Sequence, residues 1–139
     1  DAKNLALRVE REDSLPEWVR GDPLRVRQIL LNLLDNALRH STAAARPPQI
    51  SVRAEDQTAG GGAPGVCITV RDHGPGVDAA ALPHLAEPFY RPDASRERAT
   101  GGVGLGLYLC KLVALAHGGS FALDNAEPGL RVTVTLPGA

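Results

Sequence analysis

Asp22 and Pro23 stand at the head of a run in which Leu24, Val26, Ile29, Leu30, Leu33, Leu34, Ala37 and Leu38 recur at helical spacing. Asp satisfies a free N–H at a helix N-cap, and Pro, with no N–H to lose, suits the first helical position. The apolar positions form one broad face, and Arg25, Gln28, Asn32, Asn36 and Arg39 form a polar stripe on the other side. Such a helix must bury its apolar face against a second layer. The spacing predicts an end near Ser41, before an Ala-rich loop and the Pro47-Pro48 pair.

The second layer reads as strands. Leu5–Val9 alternates apolar and polar, with Ala6 a mild exception, and Leu15–Val19 is a short extended piece leading to a turn at Gly21. Gln49–Glu55 alternates as a strand, Gln57–Gly65 is a Gly-rich hairpin connection, and Val66–Arg71 is apolar enough to be central. A short helix is expected around Ala79–Leu85. Glu87–Gly106 has few apolar anchors and is long for a plain connection, which marks it as functional or disordered. A second long helix is expected from about Gly104 to His117, stopped by Gly118-Gly119. Ser120–Asp124 and Leu130–Leu136 are two last strands joined by a turn at Glu127-Pro128-Gly129. The class is α+β: a two-layer sandwich with a mixed, largely antiparallel sheet and helices on one face. The 139 residues suit a single domain, 1–139, with no internal repeat.

Aromatic residues are only 4% of the chain, so Leu, Val, Ala and Ile must build the core. A net charge of −1 gives no broad attraction to nucleic acid or anionic membranes, and an anionic ligand needs a local site. Cys67 and Cys110 each sit in an apolar segment and read as buried reduced thiols, in keeping with a cytoplasmic domain; a single disulfide between them stays open. No apolar run approaches the ~18–20 residues of a membrane span. Asp1 is not a natural start, so the chain is expected to be a fragment of something longer. His40, His73, His84 and His117 lie in different segments without metal-ligand spacing. His40 and His73 border the motifs described next, and His84 and His117 read as surface or helix-end residues.

Three motifs carry chemistry. Asn32 and Asn36 are one helical turn apart on one face. Their neutral amides offer oxygen acceptors and N–H donors without repelling a phosphate, and one carbonyl oxygen can join a Mg²⁺ shell otherwise made of phosphate and water. Arg39 extends the stripe toward a phosphate oxygen. Alone, the pair reads first as a solvated polar face. Asp72-His73-Gly74-Pro75-Gly76 follows a strand, where the carboxylate can accept from an exocyclic amine and the glycines let backbone approach a flat ligand. An Asp-initiated turn explains the same residues. Gly102, Gly104 and Gly106 precede a helix whose free N–H groups favour an anion, although a hinge also uses glycine. Gly74–Ala79 matches the dinucleotide fingerprint G-x-G-x-x-A, but Pro83, Glu87-Pro88 and a polar loop follow where a βαβ unit is required. No G-x-x-x-x-G-K-[ST] run exists.

The order of the motifs is more specific than any one of them. Gly21–Leu24 through Gln28–His40 looks like an N box, Asp72–Gly76 like a first glycine box, Glu87–Arg91 like an F box, and Gly102–Leu107 like a second glycine box. Over nearly its whole length the chain resembles the catalytic ATP-binding domain of bacterial sensor histidine kinases, a branch of the Bergerat-type ATPases. The resemblance implies that Asn36 ligates Mg²⁺ and that Asn32 binds the phosphates or orients that metal. Arg39, where Lys is common, would contact phosphate, and His40, where Tyr is common, would lie beside the base or ribose. Asp72 would read the adenine amine, with Gly74 and Gly76 shaping the pocket wall. Phe89, Tyr90 and Arg91 of the F box would border the nucleotide. Gly102, Val103, Gly104, Leu105, Gly106 and Leu107 would wrap the phosphates, and Arg91–Val103 would form a mobile lid. The family often reads Gly-Thr where this chain has Gly129-Leu130, which removes a hydroxyl from the adenine side.

The implied reaction is transfer of the ATP γ-phosphate to a histidine on a phosphoacceptor and dimerisation domain absent from this chain, with a response regulator downstream. In hydrolysing relatives a Glu occupies the position of Asn32 and activates water, whereas an amide is no general base. None of the four histidines sits in a phosphoacceptor motif, so the fragment is expected to bind ATP without phosphorylating itself, as a monomer. Many such kinases span a membrane with this domain in the cytoplasm. The rivals are a serine kinase of the anti-sigma-factor type and an interaction module with a decayed nucleotide site.

Overall fold

The computed structural model describes residues 6–11, 23–42, 49–56, 65–90 and 106–137. The expected Leu15–Val19 piece, the 57–64 connection and 91–105 lie outside them. The order is β1 (Ala6–Arg11), α1 (Pro23–Thr42), β2 (Gln49–Asp56), β3 (Gly65–Asp72), a 3-10 turn at Leu82–His84, α2 (Gly106–Ala116), β4 (Ser120–Asn125) and β5 (Leu130–Pro137). The strands form one five-stranded sheet in the order β1-β2-β3-β5-β4. β1 runs parallel to β2, and every other pairing is antiparallel. β3 is therefore central, as its apolar run predicts.

Strand alternation sorts the side chains into two faces. Val52, Val70, Val132 and Leu123 lie in one cross-strand row, and Ala54, Ile68, Val134 and Phe121 in the next. This face packs under α1 and α2, which also pack on each other. The intervening residues, among them Arg53, Thr69, Thr133 and Ser120, make a polar outer face. Cys67 belongs to that face, between Glu55 and Thr135, and is half-buried. The expectation of two buried thiols therefore holds for Cys110 alone, because Val66, Ile68 and Val70 take the inward positions of β3.

α1 buries Ile29, Leu33 and Ala37, with Val26, Leu30 and Leu34 packed beside them. Each large aliphatic side chain removed from water contributes about 1.5–3 kcal/mol. The predicted apolar face is wider than the buried one: Leu24 is 75% and Leu38 38% exposed, since a cylinder on a sheet covers only a strip. α2 stops as its glycines require. Gly118 takes φ +78 and donates to Leu115 O at 3.0 Å, and Gly119 donates to Ala114 O at 2.9 Å, a Schellman closure. The segment expected as a short helix at Ala79–Leu85 is a series of three-residue turns. Ala81, His84, Leu85 and Glu87 each donate to the carbonyl three residues back, and Pro83 has no N–H for an α-helical bond.

Gly119 also lets α2 meet β5, because a Cβ there would lie 1.8 Å from Thr135 O. Gly119→Ala is expected to destabilise the chain by at least about 2 kcal/mol in chemical denaturation. Gly106→Ala, whose Cβ would enter open space, should be neutral or slightly stabilising.

Candidate nucleotide site

The last residue of β3 carries the most constrained polar group. Asp72 is 1% exposed and is the one fully buried polar or charged side chain among the described residues. Oδ1 accepts the N–H of Gly74 at 2.9 Å and the N–H of Leu130 at 3.2 Å. The first bond is the Asx turn that a D-x-G sequence favours. The second follows from register, since Arg71 faces Arg131 and the next pair is Asp72 with Leu130. Both bonds converge on one oxygen, which fixes the carboxylate plane.

The turn between β4 and β5 closes on this carboxylate. Gly129 has φ +92, and a Cβ there would lie 1.8 Å from Asp72 O and 2.9 Å from its Oδ1. Only glycine fits. Leu130, which stands where the resemblance leads one to expect Thr, is 1% exposed in the core, and its contribution to Asp72 is a backbone N–H.

Gly76 and Val77 are tied to the same turn by Asn125. Its Oδ1 accepts from Val77 N at 3.0 Å, and its Nδ2 donates to Val77 O at 2.7 Å. Gly76 has φ +76, and a Cβ would come within 2.8 Å of Asn125 Oδ1. Arg71, on the outer face, donates to Ala126 O and Pro128 O from Nη2 at 3.2 and 3.0 Å. Sequence reasoning passed over Arg71 and Asn125. A polar residue at a strand end beside a Pro-Gly turn was the only signal for Asn125.

On α1, Asn32 and Asn36 are half-buried along the edge of the packed strip. Asn32 Oδ1 accepts from Gln28 Nε2 at 2.8 Å. Its amide also bonds the Cys110 thiol, whose Sγ lies 3.7 Å from Ile29 O, so the amide stripe and α2 meet there. Burial pushes Cys110 from near 9 up to about 12, against the opposing hydrogen bond from Asn32. Arg39 pairs with Asp35 at 2.9 Å, a partly exposed pair worth about 0.3–0.5 kcal/mol, so a phosphate can readily compete for it. Asp35, one position before Asn36, is thus within reach of the stripe.

The remaining predicted residues divide. Gly74 is buried, and Gly106 opens α2 in free space. Leu107 is a core side chain, so only its backbone is available to a ligand. Phe89 is 70% exposed at φ +67, whereas Tyr90 packs on the core and on the His84 ring at 5.5 Å. His84 itself faces Glu87 at 3.0 Å, and His117 caps the end of α2 through Val113 O at 2.8 Å. His73 donates from Nδ1 to Gln49 O at 3.2 Å. The side chain of His40, and Arg91, Gly102, Val103, Gly104 and Leu105, lie outside the described residues. Among the described residues no cluster of three or more His, Cys, Asp or Glu could hold a metal.

Asn125→Ala removes two hydrogen bonds from the Gly76–Val77 segment. It is expected to lower stability by about 1–3 kcal/mol in urea titration and to speed amide exchange at Val77. Cys110 should resist native-state alkylation that modifies Cys67. Its raised value means the folded state holds a proton that the unfolded state releases above pH 9. Stability should therefore fall as pH rises from about 9 toward 12, with a shallower decline in Cys110→Val.

Comparison with known proteins places this geometry. Residues 21–139 match the family model described as "Histidine kinase-, DNA gyrase B-, and HSP90-like ATPase". The Escherichia coli signal transduction histidine-protein kinase BaeS is 39% identical over 98% of this chain and 27% of its own length. The solved mycobacterial sensor histidine kinase MprB is 29% identical, with a TM-score of 0.75 over 96% of this chain and 82% of that one. Full-length ShkA in complex with AMPPNP is 27% identical, with a TM-score of 0.76 over 96% of this chain and 26% of that one. The chain spans about a quarter of the length of the curated relatives it matches. Because the match runs from residue 21 to the last residue and takes in Asp72, the amide stripe and the closing turn together, the chain belongs to the histidine kinase-, DNA gyrase B-, and HSP90-like ATPase family, as an ATP-binding domain of the sensor histidine kinase type.

Proposed function

We propose that the domain binds Mg·ATP between the end of β3, the amide stripe of α1 and the start of α2, and presents the γ-phosphate to a histidine on another domain of a longer kinase. The observation that carries this reading is Asp72, a buried carboxylate with one oxygen held by two backbone donors. Its second oxygen is the natural acceptor for the adenine amine. Gly74 and Gly76 let backbone lie against the base, and Phe89, Tyr90 and Arg91 border it. The glycines 102, 104 and 106, Val103, Leu105 and the backbone of Leu107 wrap the phosphates at the head of α2, where free N–H groups favour anions. Arg39 exchanges Asp35 for a phosphate oxygen, and His40 lies beside the base or ribose. The AMPPNP held by the ShkA structure supports a nucleotide as the ligand.

The donor set fits Mg²⁺. One neutral amide oxygen, from Asn36, suits an ion that keeps water and phosphate oxygens for its other positions, and no carboxylate cage is needed. When bound, the ion neutralises charge between the phosphates. Asn32, oriented by Gln28 and Cys110, binds phosphate or steers the metal shell. It offers no base to activate water, so the bound nucleotide waits for an external nucleophile. That nucleophile is the imidazole of the kinase's own phosphoacceptor domain, and a response regulator then receives the phosphoryl group. The domain is placed in the cytoplasm and acts as a monomer when separated from the rest. The serine-kinase and decayed-module readings explain less: the F-box residues Glu87–Arg91 argue against the first, and the retained Asn32, Asn36 and Asp72 against the second.

Calorimetric titration with a non-hydrolysable ATP analogue, with and without Mg²⁺, tests the proposal. Asp72→Asn keeps an oxygen for Gly74 and Leu130 but loses the charge, and should weaken binding about tenfold to hundredfold without unfolding the chain. Radiolabelled ATP should leave the chain alone unlabelled and should label an added phosphoacceptor domain. Failure of the unmutated chain to bind the analogue would overturn the reading.

A further inference from the structure

Arg71 and Asp72 are consecutive on β3 and therefore point to opposite faces of the sheet. Both nevertheless grip the same turn. Asp72 holds it from the inner face through Leu130 N at 3.2 Å. Arg71 holds it from the outer face through three donations, Nη2 to Ala126 O at 3.2 Å, Nη2 to Pro128 O at 3.0 Å and Nε to Pro128 O at 3.3 Å. Inside the turn, Ala126 N donates to Gly129 O at 2.8 Å. Gly129 must lie against the Asp72 backbone for Leu130 N to reach Oδ1, and the guanidinium fork draws both flanking carbonyls toward β3. The cross-strand neighbour Arg131 is paired with Asp124, so it does not compete for those carbonyls.

We infer that Arg71 is a positioning residue for base recognition: by clamping the turn at Ala126 and Pro128 from behind the sheet, it holds Leu130 N–H on Asp72 and so aims the carboxylate at the exocyclic amine of the nucleotide. The inference rests on the adenine reading of Asp72. It assigns base discrimination to a side chain that touches no ligand. Lys offers one nitrogen on a flexible stem and no planar fork, so it restores the clamp only in part.

The test compares binding of ATP with that of inosine triphosphate, which lacks the amine and presents a carbonyl in its place. The full 139-residue chain is used with Arg71→Ala, Arg71→Lys and, as an outer-face control, Arg53→Ala. The unmutated chain and Arg53→Ala should prefer ATP. Arg71→Ala should lose about tenfold of that preference, while affinity for inorganic tripolyphosphate stays unchanged, and Arg71→Lys should fall between. A loss spread equally over all three ligands would make Arg71 merely structural and overturn the inference. So would an unchanged ATP preference in Arg71→Ala. An unmutated chain that binds ATP and the inosine nucleotide equally would instead overturn the adenine reading. In that event the clamp is judged by amide exchange at Leu130, which Arg71→Ala should accelerate and which, if unaltered, refutes the clamp by itself.

Discussion

A carboxylate taken out of water is costly unless donors meet it, and Asp72 is met by two backbone N–H groups on one oxygen. Those donors come from the two strands of the fold's central pairing, at the same end of the ladder. Gly74 follows β3 directly, and Leu130 opens β5, more than fifty positions later. Placing β5 rather than β4 beside β3 is what brings Leu130 opposite Asp72. The register of β3 with β5 is in turn locked by its inner face, where Ile68 meets Val134 and Val70 meets Val132. A slip of one residue would turn these side chains out to solvent and remove the second donor. The sheet core and the seat of the Asp72 carboxylate are thus stabilised by the same alignment.

The amide stripe depends on the helix layer in a similar way. Ile29, Leu33 and Ala37 fix the rotation of α1 on the sheet. Asn32 and Asn36 each precede a buried residue by one position, which leaves them at the boundary between core and solvent. A fully exposed amide would be mobile, and a fully buried one would be beyond a ligand's reach. Cys110 adds a brace from α2, joining Ile29 O and the Asn32 amide to the helix that follows the glycines. A buried thiol held this far from ionisation acts as a small apolar filler with a weak polar edge.

Local pattern and ordered motifs made much of this legible in sequence. The helix at Pro23, the central strand ending at Asp72, the glycine stop at Gly118-Gly119 and the turn before Leu130 all follow from short-range rules of spacing and conformation. The failures share a different origin. Arg71 and Asn125 act across 48 to 57 positions, and nothing in their neighbourhoods distinguishes them from ordinary strand residues. Leu24 and Leu38 fit the helical period yet stay exposed, because periodicity reports a face and cannot report how much of it a sheet covers. Cys67 sits in an apolar run, but one step of alternation turns it outward. The segment at Ala79–Leu85 has helical composition, and Pro83 converts it to tighter turns.

The division between what the domain holds and what it leaves open bears on its chemistry. Every constraint around Asp72 orients a binding group: two N–H donors on one oxygen, a glycine without a Cβ, and an asparagine bridging both polar atoms of Val77. At Asn32, where a hydrolase of this kind would need a carboxylate, there is an amide whose oxygen already accepts from Gln28. On the proposed reading, such a site works by orientation and charge placement, which are large contributions to phosphoryl transfer. The Asn32 amide itself cannot deprotonate water. On the proposed reading, base recognition is built into the end of the central strand, and the reactive partner comes from outside the domain, which lets a separate event govern when the bound phosphate is used.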